Sequence, residues 1–199
     1  MGPVPPGGSE SSSAGRPVRR AVFVDRDGTL NPDLKYLADA QRLDLYKGVA
    51  EGLRLLQSHG YLIVCVTNQS GVERGLYTPS DVDRIHERLN AILRASGAHV
   101  DRFYYCPHVP ESNCECRKPG TLLFRKARDE LGLQFPGSAI VGDRVLDIEA
   151  GERLGLLTVL VPSRGHESEV REEMSSHRAV ADITAPSFLA AAVRILTRG

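Results

Sequence analysis

The segment that decides the fold is Ala21-Val22-Phe23-Val24-Asp25-Arg26-Asp27-Gly28-Thr29-Leu30. Its apolar, β-branched first half is typical of a buried strand, and the strand ends abruptly at two aspartates, Asp25 and Asp27. An α/β sheet places its chemistry at the carboxyl ends of its strands. Two neighbouring carboxylates repel each other unless a cation or a shared proton compensates them, and Mg²⁺ prefers such hard oxygen ligands. The segment therefore predicts a strand that delivers a magnesium site, although Asp-Gly is also a common turn pair.

Length and composition limit the class of protein. The chain has 199 residues, enough for one domain with a full core, and its 25 basic and 25 acidic side chains give a net charge of zero. This balance favours neither nucleic acid nor a membrane surface as a partner, and no apolar run approaches the roughly 20 residues of a membrane span. Residues 1–18 are rich in Gly, Pro and Ser, which predicts a disordered segment rather than a secretory signal. We expect a cytoplasmic monomer with one domain at 19–199.

From residue 21 the chain alternates strand-like and helix-like segments, which predicts a doubly wound, Rossmann-like α/β fold with a mainly parallel sheet. The predicted strands are 21–24, 61–66, 102–105, 139–141 and 157–161. The predicted helices are 48–59, 79–95, 121–131, 146–154 and 186–196. Too few residues separate the first two strands for a large inserted cap domain, and the highly charged segment 164–178 is interpreted as solvated surface.

Polar groups follow the other predicted strands. The run Thr67-Asn68-Gln69-Ser70-Gly71 offers a hydroxyl, an amide and backbone donors to an anion, although such a run is also ordinary loop chemistry. Arg117 and Lys118 precede a predicted helix, where a cation can neutralise a phosphoryl group, although a surface pair of this kind is usually just solvated. Asp143 follows the fourth strand and supplies a further carboxylate. The carboxyl ends of these strands meet at one edge of the sheet, so we expect the groups to converge there.

A cluster of cysteine and histidine residues predicts a second metal site. Cys106 and His108 are followed after five residues by Cys114 and Cys116. Three thiols and one imidazole form a standard tetrahedral zinc set, and four protein ligands leave no open position, so the zinc would be structural. Unrelated free cysteines are the alternative in a reducing compartment. The cluster ends directly before Arg117, so the metal would rigidify the loop that delivers the two cations.

In motif order and spacing, residues 21–163 resemble the haloacid dehalogenase superfamily of phosphohydrolases. The motifs that carry the resemblance are Asp25-Arg26-Asp27-Gly28-Thr29, Thr67-Asn68-Gln69-Ser70-Gly71, Arg117-Lys118-Pro119 and Val141-Gly142-Asp143. The resemblance implies that Asp25 is the nucleophile that forms an aspartyl-phosphate, and that Asp27 protonates the leaving group and then deprotonates the hydrolytic water.

The same resemblance implies the ligands of both the metal and the phosphoryl group. Mg²⁺ would be bound by Asp25, the backbone carbonyl of Asp27, and Asp143, while Thr67 and Lys118 would hold the phosphoryl oxygens. The role of Asp147 is open. It would orient a metal-bound water or Arg144, or else interact with the N-terminus of its own helix.

Within the superfamily, these motifs together with the zinc loop resemble the D-glycero-D-manno-heptose 1,7-bisphosphate 7-phosphatase family, and the related histidinol-phosphatase domain shares the zinc loop. Asn68-Gln69-Ser70-Gly71 followed by Arg74-Gly75 is closer to the heptose enzymes. The short zinc spacing and Gly142-Asp143-Arg144 are closer to the histidinol enzymes. The heptose family usually has Lys at the position of Arg144, and it usually has two more residues where this chain has Pro119-Gly120-Thr121.

The resemblance implies a small phosphorylated sugar or amino alcohol as substrate, with removal of the 7-phosphate of a heptose bisphosphate as the leading hypothesis. The implied substrate-binding residues are Asp33, Leu34, Lys35, Tyr36, Asn68, Gln69, Ser70, Arg117 and Arg144. Histidinol-phosphate hydrolysis is the first alternative. A DNA 3′-phosphatase shares two of the motifs but lacks the zinc loop, and this chain has no basic excess for a nucleic-acid backbone. A non-enzymatic zinc module would not need Asp25, Asp27 and Asp143 together.

Overall fold

The computed structural model describes residues 19–163 and 167–198, so the predicted disorder of residues 1–18 lies outside the described residues. The strands are β1 (Arg20–Val24), β2 (Tyr61–Asn68), β3 (Arg102–Cys106), β4 (Ala139–Gly142), β5 (Leu157–Leu160) and β6 (Ile183–Thr184). The helices are α1 (Val49–Ser58), α2 (Pro79–Ala95), α3 (Leu122–Leu131), α4 (Val145–Leu154), α5 (Glu167–His177) and α6 (Phe188–Arg198). Two short 3₁₀ turns lie at Ala40–Arg42 and Pro110–Ser112.

The six strands form one parallel sheet in the order β3-β2-β1-β4-β5-β6. The chain builds the sheet outward from β1 in one direction through β2 and β3, and then returns to build β4, β5 and β6 in the other direction. The strand order therefore reverses between β1 and β4, and ligands bind at the carboxyl ends of strands beside such a reversal. The predicted doubly wound α/β fold is confirmed.

Strand β1 is buried on both faces because its alternate side chains enter two separate cores. Val22 and Val24 pack with α1, α2 and α6, whereas Ala21 and Phe23 pack with α3 and α4. The Phe23 ring meets Phe124 of α3 edge to face, with 5.1 Å between the ring centroids. Both faces of the strand are thus covered by helices, and polar side chains that follow Val24 emerge only at the edge of the sheet.

Two features of the C-terminal region differ from the prediction. Of the segment interpreted as solvated surface, residues 164–166 lie outside the described part of the chain, but residues 167–177 form α5 and bury Val170 and Met174 against α4. Strand β6 was not predicted. The apolar signal of α5 is confined to two positions four residues apart, and β6 has only two residues, so neither element has the periodicity that a sequence window detects. No helix in the described residues is long and apolar enough to cross a membrane.

Candidate active site

The end of β1 places Asp25 in a buried crevice beside β4. The backbone N–H of Asp25 donates to the carbonyl of Val141 at 3.0 Å, which extends the β1–β4 ladder as far as the first aspartate. Gly28 then turns the chain with a φ of +83°, and a Cβ at this position would lie 2.1 Å from Asp143 Oδ2. A side chain at residue 28 would therefore push Asp143 away, so glycine is needed for the two strand ends to approach.

Lys118 brings its cation between two of the acidic side chains. Its Nζ atom lies 2.8 Å from Asp25 Oδ1 and 2.6 Å from Asp147 Oδ1, and it also donates to the carbonyl of Val66 at 2.8 Å. Burial alone would lower the pKa of Lys118, but the charges of Asp147 and Asp25 raise it above its ordinary value. The lysine is therefore a permanent cation in the floor of the crevice.

Three carboxyl groups, those of Asp25, Asp143 and Asp147, have oxygens within 4.8 Å of one another. Burial raises the pKa of Asp25 to about 6, with Lys118 opposing the shift, and burial with the Asp25 charge raises the pKa of Asp143 to about 8. Asp25 Oδ1 and Asp147 Oδ1 are buried without a well-directed hydrogen bond, and both face Lys118. Excess buried negative charge on hard oxygen atoms fits a divalent cation such as Mg²⁺.

Asp143 is held in its orientation by two hydroxyl groups. Ser163 Oγ donates to Asp143 Oδ2 at 2.6 Å, and Thr29 Oγ1 donates to Asp143 Oδ1 at 3.2 Å. Asp147, one turn into α4, accepts the backbone N–H of Arg144 at 3.2 Å and is buried. Three roles are open for Asp147. The structure shows that it contacts the backbone of Arg144 at the helix N-terminus, and that it also contacts Lys118.

Asp27 is bound by donors on both carboxylate oxygens. Arg26 Nε donates to Oδ1 at 3.2 Å and Arg26 Nη2 to Oδ2 at 2.7 Å, while Asn31 Nδ2 donates to Oδ1 at 2.9 Å and Gln69 Nε2 to Oδ2 at 2.8 Å. Burial would raise the pKa of Asp27, but the Arg26 charge and these hydrogen bonds hold it below its ordinary value. Without a substrate, the carboxyl group is therefore ionised at neutral pH.

The end of β2 connects the phosphate-binding candidates. Lys118 N donates to Asn68 Oδ1 at 3.0 Å, so the loop after β2 holds the backbone that carries the lysine. Thr67 is buried and its Oγ1 accepts from Gln69 Nε2 at 2.9 Å. Since that oxygen accepts here, its own hydrogen remains available to an anion in the crevice.

The predicted zinc residues converge at the end of β3 and in the loop that follows it. The sulfur–sulfur distances are 3.5 Å for Cys106–Cys114, 3.0 Å for Cys106–Cys116 and 3.3 Å for Cys114–Cys116. His108 Nδ1 lies 3.2 Å from Cys116 Sγ and 3.6 Å from Cys106 Sγ. A tetrahedral zinc site with bonds of about 2.3 Å has ligand atoms roughly 3.8 Å apart. The four donor atoms are slightly closer than this, so they fit a zinc ion after small adjustments.

The cysteine loop is linked directly to the cations of the crevice. Arg117 Nη1 donates to the carbonyl of His108 at 3.2 Å, and Gly120 N donates to the carbonyl of Arg117 at 2.6 Å. The other side of the loop is fixed by Glu73, which accepts from Val109 N and from Ser112 Oγ. The positions of Arg117 and of the neighbouring lysine therefore depend on the shape of the cysteine loop.

A cavity of about 450 Å³ lies above the crevice. The predicted site residues that line it are Asp25, Asp27, Asp33, Lys35, Tyr36, Thr67, Asn68, Gln69, Ser70, Arg117, Lys118, Asp143 and Arg144. Leu34 is not among the lining residues and is 37% exposed. Lys35 and Tyr36 have positive φ angles of 46° and 64°, in a turn where Asp33 Oδ1 accepts the backbone N–H of Lys35.

Sequence reasoning missed several residues of the site. Arg26 has no exposed surface, although a charged residue inside a motif is normally expected in solvent. Tyr77 lines the cavity, and Ser163 reaches Asp143 from a distant part of the chain. No local signal identifies either of them, because each contact depends on how the loops are arranged in three dimensions.

The parallel sheet and the crevice of aspartates with a lysine define a hydrolase of the haloacid dehalogenase (HAD) type. A family model described as HAD-hydrolase-like matches residues 115–190, and one described as polynucleotide kinase 3 phosphatase matches residues 24–146. A probable D-glycero-D-manno-heptose-1,7-bisphosphate 7-phosphatase from Thermoplasma volcanium is 38% identical over 69% of this chain and 94% of its own length. The corresponding β-anomer enzyme from Haemophilus ducreyi is 38% identical over 74% of this chain and 85% of its own. The chain belongs to this family of HAD-like phosphatases.

Solved structures agree with this assignment. The D,D-heptose 1,7-bisphosphate phosphatase from B. bronchiseptica, crystallised with magnesium and phosphate, matches with a TM-score of 0.79 and 25% identity, over 90% of this chain and 99% of that chain. A protein from Mesorhizobium loti that is described as a HAD-like phosphatase, by assignment only, matches with a TM-score of 0.69 and 29% identity, over 84% of this chain and 90% of that chain. The sequence-based resemblance to the superfamily and to the heptose phosphatases is confirmed.

Proposed function

We propose that the protein removes the 7-phosphate of D-glycero-D-manno-heptose 1,7-bisphosphate, in a Mg²⁺-dependent reaction that passes through an aspartyl-phosphate on Asp25. The observation that carries the chemistry is the buried cluster of Asp25, Lys118 and Asp143 in the floor of the cavity. The relatives named for this reaction support the choice of substrate. We further propose that residues 19–199 act as one cytoplasmic, monomeric domain.

The metal site consists of Asp25, Asp143 and the backbone carbonyl of Asp27. When bound there, Mg²⁺ neutralises the repulsion between the Asp25 carboxylate and the substrate phosphate and stabilises the charge of the transferring phosphoryl group. Thr29 and Ser163 hold both oxygens of Asp143 in a fixed direction, which supports its assignment as a ligand.

The chain's own groups divide the reaction into two halves. In the first, an Asp25 carboxylate oxygen attacks phosphorus, the bond to the sugar oxygen breaks, and Asp27 gives its proton to the leaving alkoxide. Lys118 and Thr67 bind the phosphoryl oxygens during the transfer. In the second half, Asp27 accepts a proton from a water that attacks the aspartyl-phosphate, which releases phosphate and restores Asp25.

The hydrogen bonds of Asp27 suit its role as a base, and substrate binding shifts its carboxyl group toward its role as an acid. Its lowered pKa keeps the carboxylate ready to act as the base in the second half of the reaction. A phosphate group that enters the cavity is a like charge, and like charges raise the pKa of a carboxyl group. Substrate binding therefore favours the protonated form of Asp27 that the first half needs.

Zinc in the Cys106–Cys116 loop is proposed as a structural ion. With three thiolates and one imidazole as ligands, the site is closed to water and to substrate. The zinc ion would fix the positions of Arg117 and Lys118, because Arg117 donates a hydrogen bond to the carbonyl of His108, one of the zinc ligands.

The cavity favours a small substrate that carries a second anionic group. Cations of Lys35, Arg117 and Arg144 lie around the rim, while the crevice itself holds Asp25 and Lys118. The phosphate that is cleaved would enter the crevice, and the phosphate that remains would face the rim. Arg144 is also paired with Glu173 of α5 at 3.3 Å, so its charge is partly compensated before substrate binds.

A substrate panel tests the proposal. Phosphate release is measured in the presence of Mg²⁺ for both anomers of heptose 1,7-bisphosphate, for histidinol phosphate and for a 3′-phosphorylated oligonucleotide. We expect the four substrates to differ in kcat/KM. The kcat/KM of the heptose ester should exceed that of the other substrates by at least about tenfold, which corresponds to roughly 1.4 kcal/mol of transition-state binding. Heptose 1-phosphate is the matched control, because an enzyme specific for the 7-phosphate leaves it intact. A lead for histidinol phosphate or for the oligonucleotide would replace the proposed substrate.

A further inference from the structure

The side-chain amide of Gln69 connects two of the proposed catalytic groups. Its Nε2 atom donates to Asp27 Oδ2 at 2.8 Å and to Thr67 Oγ1 at 2.9 Å. Its Oε1 atom accepts from Arg26 Nη2 at 3.0 Å and from Tyr77 OH at 2.8 Å. An amide has two donors and two acceptor sites, so every hydrogen bond that Gln69 can form is used. Gln69 is also buried, and the acid–base carboxyl group and the phosphoryl-binding hydroxyl are thus held by one rigid group.

Tyr77 reaches this amide from the loop before α2. Its residue surface is 7% exposed, and burial raises the pKa of its hydroxyl, so the group is a protonated donor at neutral pH. The ring packs directly on Gly71, where a Cβ would lie 2.2 Å from the Tyr77 ring. The close approach of ring and backbone fixes the ring, and with it the position of the hydroxyl oxygen 2.8 Å from Gln69 Oε1.

Arg26 holds both Asp27 and Gln69 from the buried side of the site. Its guanidinium is fully buried and donates to Asp27 and Gln69, and its Nη1 lies 3.5 Å from His86 Nε2. Burial and the neighbouring Arg26 charge lower the pKa of His86 to about 3, so the ring is neutral and acts as an acceptor. The two donors at Gln69 Oε1, from Arg26 and Tyr77, oppose a flip of the amide, because a flip would turn its NH₂ group toward the NH₂ of the arginine.

We propose that Tyr77 is a positioning residue for the acid–base step, which it supports by holding Gln69 and, through it, the carboxyl group of Asp27. The inference rests on the proposed function, in which Asp27 protonates the leaving group. Loss of the Tyr77 hydroxyl leaves one acceptor site of the buried amide unfilled and frees Gln69 to move. Asp27 then loses part of its alignment with the leaving group, whereas the backbone of Thr67 stays fixed in β2 by its pairing with β3.

The test compares two leaving groups in the variant Tyr77→Phe. The alkoxide of heptose 1,7-bisphosphate needs a proton to depart, whereas nitrophenolate from p-nitrophenyl phosphate departs without one. Because kcat/KM includes only the steps up to the first irreversible one, it reports formation of the aspartyl-phosphate. We expect Tyr77→Phe to lower kcat/KM for the heptose ester about tenfold and that for the aryl ester less than about twofold.

Tyr104→Phe is the matched control, because the Tyr104 hydroxyl donates to Glu130 of α3 at 2.7 Å and does not line the cavity. It should leave both kcat/KM values unchanged. Equal losses on the two esters in Tyr77→Phe, or no loss on either, would overturn the positioning role while leaving the phosphatase assignment intact. A wild-type protein that hydrolyses neither ester would overturn the proposed function and this inference with it.

Discussion

Asp25→Asn is expected to abolish turnover while leaving the fold intact. An amide cannot form the aspartyl-phosphate, and loss of a nucleophile of this kind costs about four orders of magnitude or more in kcat. Folding should not suffer, because asparagine has the same shape and removes one of three buried acidic groups that repel one another. Lys118 keeps its ion pair with Asp147 at 2.6 Å. Phosphate release with Mg²⁺ and a thermal unfolding curve measure the two parts of this prediction.

Asp129→Asn provides the matched control, since Asp129 lies exposed on α3 and pairs with Arg128. It makes the same chemical change away from the crevice and should keep full activity. Substantial turnover by Asp25→Asn would refute Asp25 as the nucleophile. A large drop in unfolding temperature would instead show that its carboxylate is mainly structural.

Cys114→Ser is expected to lose zinc and most of its activity. A neutral serine hydroxyl is a poor zinc ligand, and structural zinc contributes directly to folding free energy, on the order of 10 kcal/mol in small zinc domains. Without the ion, the hydrogen bond from Arg117 to the carbonyl of His108 is no longer supported, and Lys118 becomes misaligned with Asp25. Zinc content per chain, the unfolding temperature and kcat measure this effect.

Cys65→Ala separates loss of zinc from loss of a cysteine. Cys65 is a buried core residue of β2 outside the cluster, and its variant should retain zinc. Some stability is lost there through a small cavity. Zinc content that is unchanged in Cys114→Ser would remove Cys114 from the ligand set, and full activity after zinc loss would refute the link between the cysteine loop and the crevice.

Most of the crevice could be predicted because its residues lie at the carboxyl ends of strands or directly after them. Parallel strands end at the same edge, so the positions of Asp25, Thr67 and Asp143 in sequence already determine that they meet. The cysteine cluster is equally local, since Cys106 ends β3 and the other three residues lie in the loop between β3 and α3. The structure adds that Lys118 contacts Asp25 and Asp147 at once.

The parts that could not be predicted depend on three-dimensional packing. The buried Arg26 side chain has three partners, Asp27, Gln69 and His86, and no sequence window brings the last two together with it. The contact between Tyr77 and Gln69 requires the close approach of the ring to Gly71. Helix α5 buries only two apolar side chains, which is too weak a pattern to distinguish a docked helix from a solvated one.

Chemical trapping detects transfer of the phosphoryl group to Asp25. The enzyme is quenched with borohydride during turnover with Mg²⁺ and heptose 1,7-bisphosphate, which reduces an acyl phosphate on aspartate to homoserine. Peptide mass spectrometry then locates the reduced residue. We expect homoserine at position 25, present only when substrate and Mg²⁺ are both supplied and absent in Asp25→Asn. Homoserine at another aspartate, or none at all in an enzyme that is turning over, would rule out Asp25 as the residue that accepts the phosphoryl group.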